Sequence, residues 1–227
     1  MQRKKTVLWA ATFCVLIGAV AVRLSGVVPP NIRDFGFPNT PQSRVQLITA
    51  VVPWLLFSLY WEIAAKNATV ARKSESKASR GIHVVLANLA VVLAIVQLPG
   101  RFRFLPVSYL TIAAGFALAA TGLTFAIWAR RHLGRNWSGE ITIKVEHQLI
   151  RSGPYRLLRH PIYTGILVMY AGTAVVTGTW LALLGLAIAA FAYARKIWLE
   201  EANMRLAFGS EYDDYRGESW ALVPWLF

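Results

Sequence analysis

The stretch IYTGILVMYAGTAVVTGTWLALLGLAIAAFAYARKIW, residues 162–198, decides the fold. It runs for about 37 residues without an acidic side chain, and its first Arg or Lys is Arg195. A membrane crossing needs about 20 apolar residues at 1.5 Å each, so the block is too long for one helix across the bilayer. Val176-Thr177-Gly178-Thr179-Trp180 offers a turn near its middle. The block therefore reads as a helical hairpin with arms Ile162–Val176 and Trp180–Ile197. The first arm is short for a full span and is expected to be tilted or only partly crossing.

Four more apolar segments of spanning length lie upstream: Thr6–Val27, Val45–Ala65, Ile82–Leu98 and Ser108–Trp128. The whole chain is 56% hydrophobic with a mean hydropathy of +0.46. Only 15% of its residues are charged, against about 25% in a soluble domain. The expected fold class is an all-α integral membrane protein of about six transmembrane helices. The first segment follows Arg3-Lys4-Lys5 and has no convincing small-residue cleavage site, so it reads as a retained signal anchor. Cys14 is the only cysteine, which excludes a disulfide within the chain and a Cys-rich metal centre; no metal site is expected.

The net charge of +13 belongs to the membrane rather than to nucleic acid, because no basic stripe is interleaved with aromatics on a soluble face. With the N-terminus in the cytoplasm and six spans, nineteen Lys and Arg fall on the cytoplasmic side and five on the other. This agrees with the positive-inside rule. Both termini are then cytoplasmic, in a prokaryotic inner membrane or, in a eukaryote, the endoplasmic reticulum. The loop Lys66–Arg80 is polar, and prolines 29, 30, 38 and 41 break the loop Val28–Arg44 on the far side.

The same topology brings two polar clusters to one membrane face. The first is Gly153-Pro154-Tyr155-Arg156-Leu157-Leu158-Arg159-His160-Pro161-Ile162-Tyr163-Thr164-Gly165, which leads into the hairpin. The second is Glu200-Glu201, just past it. Charge beside a membrane is costly and marks a functional site. The bland readings are a helix start at Pro161 with His160 as a cap, a headgroup contact at Arg159, and tyrosines anchored at the interface. Adjacent helical residues point about 100° apart, so one Glu is expected to face the bundle and the other water. Glu201 has Arg205 as a partner at i,i+4, which leaves Glu200 to bind a cationic group. A short helix past the last span is expected to break at Gly209, and Leu222–Phe227 forms an apolar end that settles back on the protein or the interface.

Further motifs complete an ordered set: Leu133-Gly134-Arg135-Asn136-Trp137-Ser138, His147-Gln148-Leu149-Ile150-Arg151-Ser152, Phe208-Gly209-Ser210-Glu211-Tyr212 with Tyr215, and Val223-Pro224-Trp225-Leu226-Phe227. The set resembles the isoprenylcysteine carboxyl methyltransferase family, which is related to the phospholipid methyltransferases. The resemblance covers about 95 residues, from Leu133 to the C-terminus. It implies two regions: N-terminal helices with their loops over residues 1–107, and a methyltransferase core over 108–227.

The resemblance also implies a membrane enzyme using S-adenosylmethionine, bound in a cytosolic pocket that the C-terminal segment closes. Its cofactor-binding residues would be His147, Gln148, Leu149, Ile150, Tyr155, His160, Pro161, Ile162, Tyr163 and Glu200. Lys196 falls where eukaryotic members carry a substrate-side Arg, with Arg195 adjacent, and Glu201 stands ready as a base. These three are the candidate catalytic residues. The acceptor would enter from the bilayer: the carboxylate of an isoprenylcysteine-like or other isoprenoid or lipid molecule, or alternatively a phospholipid amine. A carboxylate is already ionised near neutral pH, whereas an amine needs its proton removed by Glu201 or His160. Membrane sterol reductases using NADPH share a similar RHP-x-Y-x-G segment and form a further alternative.

Overall fold

Four helices begin where a hydroxyl accepts a hydrogen bond from the backbone. Thr40, Ser76, Ser108 and Thr179 accept from the N–H groups of Ser43, Ser79, Thr111 and Ala182, which satisfies one orphan donor at each helix start. The computed structural model describes residues 40–65, 73–74, 76–98, 100–137, 142–143 and 149–225. The expected span Thr6–Val27, Cys14, most of the first far-side loop, His147, Gln148 and the last two residues lie outside these. The described helices are α1 (Pro41–Ala65), α2 (Lys77–Ile95), α3 (Tyr109–Leu133), α4 (Pro161–Thr177), α5 (Trp180–Phe208) and α6 (Ser210–Gly217). A two-residue antiparallel ladder, Lys73–Ser74 with Thr142–Ile143, is the extended structure alongside them.

The all-α expectation holds, and the chain forms the bundle of an integral membrane protein. By length and composition α1, α2, α3 and α5 are each able to cross a membrane, whereas α4 is a shorter apolar helix. The hairpin turns at Gly178 as expected, with a left-handed backbone at φ 64° that favours glycine. The arms differ from the expected Ile162–Val176 and Trp180–Ile197. The second runs without interruption through Glu200-Glu201 to Phe208, because Leu, Glu, Ala, Met and Arg in that stretch are all strong helix formers. What was expected as a separate short helix is the end of the last span. The break at Gly209 (φ 56°) is where expected. Lys77–Arg80, expected in a loop, form the first turn of α2 behind its Ser76 cap.

α3 and α4 cross along a seam of small residues. A Cβ added to Gly122 would meet Gly165 O at 2.5 Å and Met169 N at 2.7 Å; one added to Gly115 would meet Val176 N at 2.5 Å. Gly165 and Gly172 face back on Ala126 and Ala119 with equally little room. Such contacts let two backbones approach in lipid, where the hydrophobic effect between helices is absent. α5 approaches α2 in the same way, with Gly185 against Ala90 O.

At the far end, polar groups from α1 and from the segment before α3 terminate α4. Gln46 Nε2 donates to Val176 O at 2.7 Å and to Thr177 O at 3.2 Å. Arg103 donates to Thr177 O at 2.9 Å, and Phe104 N donates to Gly178 O at 2.8 Å. The last carbonyls of a helix have no intrahelical partner, and inside a bundle each must find one. Trp54 Nε1 to Thr173 Oγ1 (3.0 Å) and Tyr170 OH to Ala87 O (2.9 Å) tie α1, α4 and α2 at mid-depth.

The seam predicts a cost for bulk. Gly122→Val should lower the thermal midpoint in detergent, with a loss of about 1–3 kcal/mol, because the clashing partners are backbone atoms. Gly81→Ala, with nothing within 4 Å of the added Cβ, should leave the midpoint unchanged or raise it. Equal midpoints for Gly122→Val and the native chain would contradict the seam.

Candidate functional site

α4 begins with Pro161 at its first position, where a missing N–H costs nothing. His160 before it holds the N-cap position without a side-chain cap bond. Its imidazole is therefore not spent on the helix start. Nδ1 lies 3.5 Å from Glu200 Oε2, and Nε2 lies 3.4 Å from Glu201 Oε1. The imidazole bridges the two adjacent carboxylates.

Each carboxylate has further partners. Tyr163 OH donates to Glu200 Oε1 at 2.6 Å, and Lys196 Nζ stands 4.0 Å from the same oxygen. Glu201 Oε1 accepts from Arg159 Nε at 2.8 Å, and Arg216 Nε lies 3.1 Å from Oε2. Glu201 does not pair with Arg205, which is held by Asp213 at 2.9 Å. Nor does it face water: its side chain is 12% exposed and that of Glu200 19%. Arg159, 10% exposed, is likewise a clamp within the protein rather than a headgroup contact.

The C-terminal segment lies across this cluster. Arg159 N and His160 N donate to Trp220 O (2.8 Å) and Ala221 O (3.0 Å), and Trp220 N donates to Leu157 O at 3.0 Å. Arg159 Nη1 also donates to Ser219 O, and Thr164 Oγ1 to Leu222 O at 2.7 Å. Tyr215 OH donates to Tyr155 O at 2.6 Å. Burial pushes the Tyr215 phenol up to about 12, so this donor keeps its proton through the physiological range. Residues 219–222 thus form a strap over the start of α4, an arrangement in accord with the expected return of the C-terminal end to the protein.

Aromatic rings line the cluster. His160 and Tyr163 stack at 5.6 Å with planes 5° apart, and Tyr163 lies 4.9 Å from Tyr193. Lys196 Nζ sits 5.6 Å from the Tyr163 ring centroid. The structure therefore brings His160, Tyr163, Lys196, Glu200 and Glu201 together. Pro161 and Ile162 are buried at the α4 start, Tyr155 is buried beside His132, and Ile150 packs against the core. Leu149 is described and half-buried; His147 and Gln148 lie outside the described residues. Arg195 turns away from Lys196, its Nη2 donating to Ser79 Oγ on α2 at 2.9 Å.

Arg216 and Tyr193 were not singled out from sequence. Arg216 is separated from Glu201 by Gly209, and only the turn there folds α6 back. Tyr193 was readable as the residue seven before Glu200, two turns away on one helix face.

Burial alone would lower the charge affinity of His160, but its bonds to Glu200 and Glu201 outweigh this and raise it above the ordinary value. The imidazolium is then the form that donates from both nitrogens.

A family model described as phospholipid methyltransferase matches residues 110–211. The probable protein-S-isoprenylcysteine O-methyltransferase of Oryza sativa subsp. indica is 33% identical over 96 residues, covering 41% of this chain and 50% of that protein. Protein-S-isoprenylcysteine O-methyltransferase B of Arabidopsis thaliana is 30% identical over 96 residues, 41% of this chain and 49% of its own. The chain thus spans about half the length of these relatives. Methanethiol S-methyltransferase of Mycobacterium tuberculosis is 26% identical over 252 aligned positions, covering 99% of this chain and 98% of its own. Among solved structures, the eukaryotic intramembrane Ras methyltransferase ICMT aligns with a TM-score of 0.51 at 18% identity, covering 95% of this chain and 74% of that one; this shows a shared fold. The findings bear out the likeness to the isoprenylcysteine carboxyl methyltransferase family and its phospholipid methyltransferase relatives.

Two outcomes follow from the clamp. Glu201→Ala leaves Arg159 buried without its partner, so it should cost about 3–5 kcal/mol and speed limited proteolysis within residues 209–225; unchanged cleavage would contradict the clamp. Because the His160 value is raised in the folded state, its stabilisation is fully present below about pH 6.5 and is lost as pH rises through the raised value. The thermal midpoint of the native chain should therefore fall on alkalinisation in that window, and His160→Gln should flatten this component of the profile.

Proposed function

We propose that the chain is an S-adenosylmethionine-dependent methyltransferase of the membrane, with its basic end in the cytosol and an acceptor that enters from the bilayer. The observation that carries the reading is Glu200. A carboxylate held by Tyr163, His160 and Lys196 under the strap sits in a chain whose relatives are named as methyltransferases.

S-adenosylmethionine supplies a methyl group on a sulfonium centre, together with an ammonium and a carboxylate. Glu200 would accept from the ammonium, His160 or backbone N–H groups would meet the carboxylate, and the Tyr155 and Tyr163 rings offer faces to the adenosine. His147, Gln148, Leu149 and Ile150 would complete the contacts from the segment before the strap. Glu201 holds the strap over the site through Arg159 and Arg216. Proximity and alignment in a water-poor pocket supply the rate. The core at 108–227 carries the donor, and the helices within 1–107 shape the acceptor side.

For the acceptor, the isoprenylcysteine relatives favour a carboxylate, with Lys196 as its cation. A second reading has a specific support: the relative named for a thiol aligns over nearly the whole chain, including the helices that the isoprenylcysteine matches leave out.

Calorimetry with S-adenosylhomocysteine tests the donor site. The native chain should bind it, and Glu200→Ala and His160→Ala should each weaken binding at least about tenfold, the loss of roughly one charge-assisted hydrogen bond. Unchanged affinity in both variants would refute the site. Thermal stabilisation by NADPH in place of S-adenosylhomocysteine would favour the reductase alternative.

A further inference from the structure

His83 on α2 takes no part in the contacts above. One face of α2 carries Ser79, His83, Ala87, Ala90 and Ala94 at helical spacing. Ser79 is bonded to Arg195 of α5, and Ala87 O accepts from Tyr170 of α4. His83 is therefore held, half-buried, against α5 and α4. Its Nδ1 lies 3.3 Å from Ala192 O. A carbonyl oxygen only accepts, so Nδ1 carries the proton, and in the neutral ring Nε2 presents a lone pair. A carbonyl that holds one nitrogen in this way sets which nitrogen is left as the acceptor.

The position suits an acceptor. Ala192 precedes Glu200 by eight residues on α5, about 12 Å along the axis toward the bilayer. The His83 ring meets Tyr193 edge-on at 5.1 Å, Tyr193 lies 4.9 Å from Tyr163, and Tyr163 donates to Glu200. His83 closes the membrane-ward end of this row of rings.

The charged neighbours of His83 are Lys196, Arg195 and Glu200 of α5, with Tyr193 beside it and Tyr163 and Tyr170 of α4 beyond. Lys196 is engaged by Glu200 and the Tyr163 face, and Arg195 by Ser79. The cations on this side are turned to protein partners, and the group offered to an acceptor is a neutral base. An ionised carboxylate has no use for one. A thiol does: even the cysteine thiol, with a pKa of about 8.5, is mostly protonated at neutral pH, and the thiolate is the nucleophile.

We propose that His83 is the base that activates a thiol acceptor in this site; the proposal rests on the methyl-transfer reading. The acceptor's S–H bond breaks with its proton passing to His83 Nε2. The sulfur lone pair forms the new bond to the methyl carbon, and the bond from that carbon to the donor's sulfonium breaks with its electron pair returning to the donor sulfur. The products are two thioethers and one imidazolium, which returns its proton to solvent.

The full chain in lipid nanodiscs, with butanethiol as probe, tests this across pH 6–10. His83→Gln should lower kcat/KM at neutral pH about 100-fold, within the range for a general base. Its S-adenosylhomocysteine affinity and thermal midpoint should stay near native. The deficit should shrink as pH rises toward the probe's own thiol pKa, where solution supplies the thiolate. An equal deficit at every pH, no deficit, or loss of S-adenosylhomocysteine binding would overturn the assignment. Native chain that methylates a prenylcysteine carboxylate and not the thiol would overturn the thiol while leaving the proposed function standing. Native chain that neither binds S-adenosylhomocysteine nor methylates any acceptor would overturn both.

Discussion

Two carboxylates stand side by side at the end of a membrane helix, and the structure is arranged to neutralise them in place. Coulomb repulsion between neighbours rises as water is excluded, so Glu200 and Glu201 need positive charge and donors from outside their own helix. His160 and Arg159 come from the segment before α4, and Arg216 comes from α6. Those three residues can meet the pair only if α5 returns alongside α4 and the chain reverses again at Gly209. The hairpin and the turn, set by apolar length and glycine placement, are what allow this electrostatic requirement to be met. Glu200 differs from its neighbour: its partners are an ammonium at 4.0 Å, a phenol and a shared imidazole, with no guanidinium among those contacts. Glu201, by contrast, is held by two guanidinium groups, those of Arg159 and Arg216.

The height of this cluster is set from the opposite end of the bundle. Gln46, Arg103 and Phe104 take up the last carbonyls of α4 and the turn carbonyl of Gly178. The glycine seam fixes α4 against α3. With its far end capped and its flank pinned, α4 can deliver His160 to only one level of α5, and that level is Glu200-Glu201.

Much of this was legible in the sequence. The hairpin turn, the Gly209 break and the meeting of the RHP segment with the Glu pair follow from apolar length, glycine placement and charge. The partners of Glu201 were not, because Arg205 sits at the right spacing on the same helix, and local spacing carries no information about a chain that doubles back. The side chain of Arg205 points to Asp213 instead, once α6 has folded over. The end of α5 was also misplaced, since a drop in hydropathy marks where lipid stops and not where a helix stops. His83 was silent for a different reason: a lone histidine on an apolar helix face looks like an ordinary core residue, and only the Ala192 carbonyl opposite it gives its ring an orientation.

The modest length of α4 has a consequence for the surrounding lipid. Seventeen residues make a rod of about 25 Å, against a hydrocarbon layer of about 30 Å, while its partner α5 has twenty-nine. A short helix in a thick bilayer is met by local thinning, at a cost of a fraction of a kcal/mol per ångström of mismatch. Such thinning would draw the headgroups beside α4 inward toward His160 and the strap. A greasy molecule resting with its polar end at that headgroup boundary then needs no lift out of the hydrocarbon to come level with the Glu200 cluster. Bilayer thickness becomes a setting on access, easiest in thin membranes and resisted where sterol or long chains thicken and stiffen the sheet.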